Sequence, residues 1–446
     1  MKVDRKLGFW MCVALVVGNM IGSGIFLLPA SLAPYGMSSV LAWVATAAGA
    51  LFLAVVFSGL SRAFPAAEGP YAYTRLAFGD LAAFVVAWGY WVAVWVGNAA
   101  IATGAVSYLS NLMPWMAAST AVTALVTLGF VWLLTAVNVL GVRVAGGVQV
   151  VTTVLKLMPL LAVAGLGIYL ALKADPRLAW STPGALPLSI DSVTAAATLT
   201  LWALLGFESA SVVAQRVADP ERNIPRATII GTALTALIYI VTCTTVLLVI
   251  PAQQLAGSTA PFADVAKLFW GASAGHWLAL FAAISGLGAL NGWILLQGEL
   301  PFQMARSGLF PKIFARESSR QTPAAALCIS SILVTILVLT NYGKSMVEIF
   351  TFMILLSTTA TLAMYLLCAL AVLVLLRNGK LAASGPRVVW LAIAGVMGTV
   401  YAIWTLIGAG SEAVLWGFAL LAAAVPVFYL MRRQQTVPAP ATETDA

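Results

Sequence analysis

The chain has 446 residues, of which 62% are hydrophobic and only 9% are charged. No soluble domain buries that much apolar surface, so the composition predicts an all-α, polytopic integral membrane protein and excludes a water-soluble domain. The net charge of +8 comes without a basic stripe interleaved with aromatic residues, which argues against a nucleic-acid partner.

Twelve apolar segments are long enough to cross a bilayer, and the first is expected to be retained because no signal-cleavage site follows it. Of the 23 basic residues, 18 fall on the side of the N-terminus and four on the opposite side. The positive-inside rule therefore predicts a cell inner-membrane protein with both termini in the cytoplasm. The approximate spans are 8–32, 38–62, 81–110, 118–142, 148–172, 190–215, 225–250, 272–304, 323–341, 345–376, 388–409 and 412–431.

The first span contains residues that are unfavourable inside a helix. They lie close together in its middle: Gly18, Asn19, Gly22, Ser23 and Gly24. Non-helical backbone at this depth is tolerated only beside protein or a water-filled cavity, which predicts a broken helix that holds substrate. The alternative interpretation is a glycine-lined packing face.

Span 3 carries polar and aromatic groups well inside its apolar stretch. Tyr90, Val94, Asn98 and Ile101 follow helical spacing and therefore share one face. Asn98 needs a hydrogen-bond partner at that depth, which is either another helix or a ligand.

Lys156 lies inside span 5, about nine residues from its cytoplasmic end. At 1.5 Å per residue this places it roughly 12–14 Å deep, so reaching the interface is marginal. Such a lysine faces the bundle interior and binds an acid or backbone carbonyls. The two interpretations are a coupling or ion-replacing role and a purely structural one.

Span 6 carries a second interruption, around Gly206 and the acid Glu208. If spans 1–5 and 6–10 are two inverted halves, both interruptions stand at corresponding positions, which is the best sequence indication of a transporter's binding site. Glu208 is then a proton-relay candidate, or alternatively an ion-pair partner between helices. In span 8, Trp293 is expected either to line a pocket or to pack.

Five blocks resemble the amino acid–polyamine–organocation superfamily: Gly18–Ala30, Glu68–Tyr73, Gly206–Ala210, Asn223–Ala227 and Gly308–Pro311. The most similar branch is that of the bacterial arginine/agmatine antiporter and related basic amino acid and polyamine antiporters. The resemblance implies twelve transmembrane helices and a five-plus-five inverted repeat of the leucine-transporter type, with broken helices 1 and 6. The repeats would cover 1–180 and 181–380, spans 11 and 12 would cover 381–433, and 434–446 would be a disordered cytoplasmic tail.

The resemblance also implies how the polar end of a substrate is held. The hydroxyl of Ser23 and the N–H of Gly24, with Gly22 beside them, would bind a carboxylate. Three backbone carbonyls would receive the α-amino group, those of Met20, Trp202 and Leu205.

Side chains would complete the implied site. Trp202 and Trp293 would stack on the substrate side chain, Tyr90 would line the cavity, and Asn98 would contact the distal end. Two residues would belong to the cytoplasmic gate and the pH response, Tyr71 and Glu208.

Three features depart from the arginine/agmatine pattern. The span-10 wall carries serines in that antiporter, whereas the alignment places Ile354 and Leu355 there, and Val94 stands where the antiporter has a cysteine. Lys156 resembles the lysine that occupies the sodium site in proton-coupled or sodium-independent relatives. A more apolar pocket with that lysine predicts sodium-independent, proton-coupled amino acid transport, with Lys156 bridging span 1 to spans 5 and 8.

Three function classes remain from the sequence. Lys156 with Glu208 favours a proton-linked amino acid transporter. An exchanger of basic amino acids or polyamines is favoured by Asn98, Trp202, Glu208 and Trp293. A receptor or structural subunit is disfavoured by the paired interruptions. An enzyme is disfavoured because no nucleophile–base pair, metal cluster or nucleotide loop is recognisable, and no cofactor is expected. The expected partners are an amino acid or amine substrate, protons and membrane lipid, with a homodimer as one option.

Overall fold

The computed structural model describes residues 8–22, 24–65, 69–140, 142–178, 186–208, 211, 217–320, 322–341, 343–381 and 386–436. In these ranges the protein is helical and contains no strand. The helices are α1 Phe9–Met20, α2 Gly24–Leu32, α3 Met37–Ala63, α4 Pro70–Phe78, α5 Asp80–Leu112, α6 Thr120–Leu140, α7 Val142–Leu172, α8 Ile190–Ala203, α9 Pro220–Val249, α10 Ala252–Ala256, α11 Pro261–Trp270, α12 Ala272–Arg306, α13 Ala324–Thr340, α14 Met346–Arg377, α15 Pro386–Gly408, α16 Ser411–Ala422 and α17 Ala424–Thr436.

The described helices account for most of the predicted spans. Nine are long and apolar enough to cross a membrane, and a tenth span is obtained if the bent pair formed by α1 and α2 is counted as one. Helix α13 is apolar but has only 17 residues. The second half of predicted span 6 lies mostly outside the described residues. The multi-pass helical fold is therefore confirmed, while the count of twelve spans and the inverted repeat stay predictions.

Helix α5 forms the centre of the bundle. In its most apolar window 89% of the residues are buried inside the protein, and it packs against α12 and α14. A helix that is apolar on all sides is stable only when it is surrounded by other helices or lipid. This position places Tyr90, Val94 and Asn98 in the interior rather than at the membrane surface.

The connection between α3 and α5 contains one short helix. Helix α4 begins at Pro70, which is favoured at the first helical position because its missing N–H needs no partner there. It ends at Gly79, whose φ of +85° is strained for any other residue. Tyr71 lies half-buried in the first turn of this helix.

On the opposite side of the bundle, two further helices between α9 and α12 fold over α2. The hydroxyl of Tyr108 donates to the carbonyl of Phe26 at 2.7 Å and accepts the N–H of Phe262 at 3.2 Å. The Phe26 and Phe262 rings meet edge to face at 5.3 Å. One buried hydroxyl thus joins α5, α2 and α11.

Candidate functional site

The first span is discontinuous at its glycine-rich stretch. Helix α1 ends at Met20, Ile21 has an extended backbone, and α2 begins at Gly24. The segments Phe9–Met20 and Gly24–Tyr35 are inclined by 47°. The last carbonyls of α1 therefore lack the partners that a continuous helix would give them.

Lys156 supplies those partners. Its ammonium Nζ donates to the carbonyl of Gly18 at 2.6 Å and to that of Ile21 at 2.8 Å, and the side chain is only 1% exposed. A cation is favourable at a helix C-terminus because the carbonyl ends carry partial negative charge. The predicted bridge between spans 5 and 1 is present, whereas no hydrogen bond from Lys156 to α12, the predicted span 8, occurs among the described residues.

The second discontinuity lies against the first. Helix α8 ends at Ala203, and the chain continues through turns to Glu208. Gly206 has φ +108°, and a Cβ there would lie 3.3 Å from the backbone carbon of Asn19. Both the backbone angle and the close approach explain why glycine stands at this point.

Glu208 is buried beside the two helix ends, with 1% exposure. Its Oε2 accepts the Tyr365 hydroxyl at 2.9 Å and the Gly206 N–H at 3.2 Å, whereas Oε1 has no hydrogen-bond partner among the described residues. None of the ion pairs between described residues includes Glu208. The alternative of an ion pair between helices is therefore not what this part of the chain shows.

A cavity of about 580 Å³, the open space at its mouth included, lies between these elements. Eight of the residues nominated from the sequence line it: Met20, Gly22, Gly24, Tyr90, Trp202, Leu205, Glu208 and Trp293. Ser23 lies outside the described residues.

Besides Lys156, which binds the end of α1, two nominated residues are not among those that line the cavity. Tyr71 lies in the first turn of α4. Asn98 is fully buried and donates to Gln297 Oε1 at 2.8 Å, and Gln297 in turn donates to Ser331 at 2.9 Å. This network, which joins α5, α12 and α13, fits the interpretation of Asn98 as a link between helices. Its contact with substrate stays a prediction.

The wall contributed by α14 differs from the expected one. Ser357 and Thr361 line the cavity, whereas Ile354 and Leu355 do not. The Ser357 hydroxyl donates to the Ala93 carbonyl at 2.8 Å, and that of Thr361 to the Ser357 carbonyl at 2.9 Å. The sequence alignment had placed the wall about one helical turn too early. Because residues three or four apart lie on the same helix face, the apolar pattern does not reveal such a displacement. The argument for a more apolar pocket is therefore wrong at this wall.

Several lining residues were not predicted individually from the sequence. Asn19 belongs to the first interruption but was not nominated, and Tyr239 is an isolated tyrosine in an apolar span. The Tyr239 hydroxyl donates to the Met20 carbonyl at 2.9 Å. A carbonyl oxygen has two lone pairs, so Met20 can still accept a substrate amine.

The Trp202 ring lies against the first residue of α2. A Cβ at Gly24 would lie 1.9 Å from Cζ3 of that ring, and the ring also meets Phe350 edge to face at 5.7 Å. The glycine therefore sets where the indole can lie in the cavity.

Replacement of Gly24 by alanine is expected to displace the indole and to weaken substrate binding by about tenfold, since overpacking costs about 1–3 kcal/mol. Binding of labelled substrate to detergent-solubilised protein measures this. Gly129→Ala is the matched control, because nothing lies within 4 Å of the added Cβ in α6. Equal affinities of the two variants would contradict the assignment of Trp202 to the site.

The chain matches the family model described as "Amino acid permease" over residues 7–429. It is 34% identical over 409 residues to the "Putative arginine/ornithine antiporter" of Bacillus subtilis, covering 85% of this chain and 86% of that protein. It is 33% identical over 342 residues to the "Cadaverine/lysine antiporter" of Escherichia coli, covering 76% of each. It is 30% identical over 414 residues to the "Putrescine transporter PotE" of Haemophilus influenzae, covering 93% and 94%.

Proposed function

Since the chain belongs to the amino acid permease family, and is thus a transporter rather than an enzyme, we propose that it exchanges cationic amino acids or polyamines across the cell membrane. The observation that carries this proposal is the buried carboxyl group of Glu208, which lines a cavity between two helix ends and forms no ion pair with any other described residue. The substrate would bind in that cavity.

The charge of the cavity favours a cation. Among the described residues that line it, Glu208 alone is charged. A buried carboxylate is costly unless a proton or a cation compensates it. The hydroxyls of Ser357, Thr361 and Tyr239 all donate to backbone carbonyls, so their oxygens remain available as acceptors. An ammonium or guanidinium group offers the donors that this arrangement lacks.

The aromatic walls support the same substrate class. Trp202 and Trp293 both line the cavity. A cation over an indole face gains about 0.5–2 kcal/mol, the larger value when water is excluded. The names of the three relatives specify arginine, ornithine, lysine, cadaverine and putrescine. Each of these five compounds carries a basic nitrogen group.

The helix ends are suited to the polar end of an amino acid. The N–H groups at the start of α2, at Gly24, would bind the carboxylate with the hydroxyl of Ser23, next to Gly22. The carbonyls of Met20, Trp202 and Leu205 would receive the α-amino group. Tyr90 would line the cavity, and Asn98 and Tyr71 would act at the distal end and the cytoplasmic gate.

A second function is proton-coupled transport without exchange, which Lys156 favours. An ammonium already bound at the end of α1 supplies the charge that a coupling cation would otherwise supply, so either mode would be independent of sodium. Proton movement would involve Lys156 and Glu208. The relatives' names favour exchange instead, and we therefore place exchange first.

We also propose the topology and assembly that the family resemblance implies. We place the N-terminus in the cytoplasm because 18 of the 23 basic residues fall on its side. Twelve spans with a five-plus-five inverted repeat, lipid-facing outer helices and a homodimer complete the proposal.

Competition for labelled arginine binding tests the substrate class. Arginine, ornithine, lysine and putrescine are expected to compete, whereas citrulline, which matches arginine in size but is neutral, is expected to bind at least about tenfold more weakly, since a lost charged hydrogen bond costs about 1.5–3 kcal/mol. Replacing sodium by choline should change nothing. Equal competition by citrulline and arginine would exclude a cation-selective site.

A further inference from the structure

Helix α15, which lies beyond both predicted repeats, is hydrogen-bonded to α8. The indole N–H of Trp404 donates to Thr194 Oγ1 at 2.9 Å. One turn further along α8, the Thr198 hydroxyl donates to the carbonyl of Thr405 at 2.5 Å. Thr198 and Thr405 are fully buried. Two consecutive turns of α8 are thus fixed to neighbouring residues of α15.

The two helices are also in direct backbone contact at this point. A Cβ on Gly408 would lie 2.1 Å from the carbonyl oxygen of Thr194 and 2.5 Å from the hydroxyl oxygen of Thr198. Small residues allow such close approach between membrane helices, and threonine side chains form hydrogen bonds between them. Helices α8 and α15 are therefore joined by both hydrogen bonds and close backbone packing, which we call the α8–α15 junction.

The junction leads to the cavity along α8. Thr194, Thr198 and Trp202 stand at i, i+4 and i+8 and so follow one side of the helix, about 12 Å from end to end. Helix α8 has 14 residues and ends at Ala203, so no continuing helix holds its inner end. Its position depends on its neighbours, and the Trp202 ring fits between Gly24 and Phe350 with little room to shift.

We propose that Trp404 is a positioning residue for the substrate cavity: through Thr194 it fixes α8, and α8 in turn fixes Trp202 against the substrate. The inference rests on the proposed function, in which Trp202 stacks on the substrate side chain. Trp404 itself is not among the residues that line the cavity. Its effect is therefore on affinity, by preorganising a contact that it does not make.

Trp404→Phe removes the N–H and keeps an aromatic ring. We expect the KM for labelled arginine in exchange to rise about three- to tenfold, the effect of roughly one membrane hydrogen bond, with the maximal rate within about twofold. Trp132→Phe is the matched control, because the Trp132 indole donates to a threonine hydroxyl, that of Thr335, at 3.0 Å between α6 and α13. That variant should keep the wild-type KM.

Thr194→Val removes the hydroxyl that accepts the Trp404 N–H while nearly keeping the shape of the side chain. This variant tests the same hydrogen bond if Trp404→Phe does not fold. It should raise KM to the same extent, and the double variant should be no worse than either single one, because both remove the same hydrogen bond. A merely structural role predicts instead lower thermal stability with unchanged KM.

Two outcomes would overturn the inference while the proposed function survives: additive effects of the two substitutions, or equal KM changes in Trp404→Phe and Trp132→Phe. Trp202→Ala distinguishes a failure of the proposed stacking role of Trp202 from a failure of the positioning role of Trp404. If it leaves KM unchanged, the stacking role and the positioning role fail together. If it raises KM while Trp404→Phe does not, only the positioning role fails.

Discussion

Replacement of Glu208 by glutamine is expected to abolish most transport of cationic substrates while the protein still folds. The carboxylate is 1% exposed, lines the cavity and keeps Oε1 without a partner among the described residues. Removing one charge of a buried, hydrogen-bonded pair costs about 2–5 kcal/mol, so affinity should fall by at least about thirtyfold. Glutamine has nearly the same shape and still accepts the Tyr365 hydroxyl through its amide oxygen.

The pH dependence provides a second measure of the same group. Only the ionised carboxylate attracts a cation, so wild-type affinity should decrease as acid protonates Glu208, whereas the glutamine variant should show a flatter profile. Glu317→Gln is the control, because Glu317 is an exposed acid paired with Arg306 at 3.4 Å. Labelled-arginine binding across pH measures both effects. Wild-type affinity and an unchanged pH profile in Glu208→Gln would remove Glu208 from the site.

Replacement of Lys156 by methionine is expected to lower transport by more than about tenfold, because it leaves the carbonyls of Gly18 and Ile21 without their donor, and each unpaired buried group costs about 1–3 kcal/mol. The two distances of 2.6 and 2.8 Å show that the ammonium binds the end of α1 and the first residue after it. Methionine keeps the length and apolar stem of lysine, so packing changes little. Loss of the cation should loosen the end of α1 and so the carbonyls proposed to bind the substrate amine.

Exchange rate, thermal stability in detergent and proton dependence should be measured on the same preparation. Lys267→Met is the control, since Lys267 lies on α11 in a half-exposed pair with Asp264. A variant that keeps the wild-type rate and proton dependence would show that Lys156 has neither a coupling nor an essential structural role. If the variant is less stable but keeps the wild-type rate and proton dependence, Lys156 has a structural role and no coupling role.

The sequence indicated where the helices are interrupted, because the signal is local. Gly18, Asn19 and Gly22 are poor helix residues within an apolar span, and α1 ends at Met20. Lys156 was also recognisable, since a charge inside an apolar segment must find a buried partner. Only the tertiary structure shows that its partners are the carbonyls of Gly18 and Ile21, which the Lys156 side chain reaches from α7.

The rest of the cavity depends on long-range contacts. Tyr239 and Tyr365 are each the one tyrosine of an apolar helix, and nothing in their sequence neighbourhood shows that the first reaches Met20 and the second Glu208. Ser357 and Thr361 were missed because a helical wall displaced by one turn preserves its hydrophobic pattern. Asn98 was correctly identified as needing a partner, but only the structure shows that Gln297 is that partner.

Counterflow into proteoliposomes tests the central claim most directly. Labelled arginine is presented to vesicles that contain unlabelled arginine or ornithine without a proton gradient, and to empty vesicles with an inward proton gradient. An exchanger should accumulate label only in the loaded vesicles, and Glu208→Gln should lose that signal. Accumulation in empty vesicles driven by the proton gradient, with neutral amino acids preferred, would contradict exchange of cations and favour proton-coupled transport.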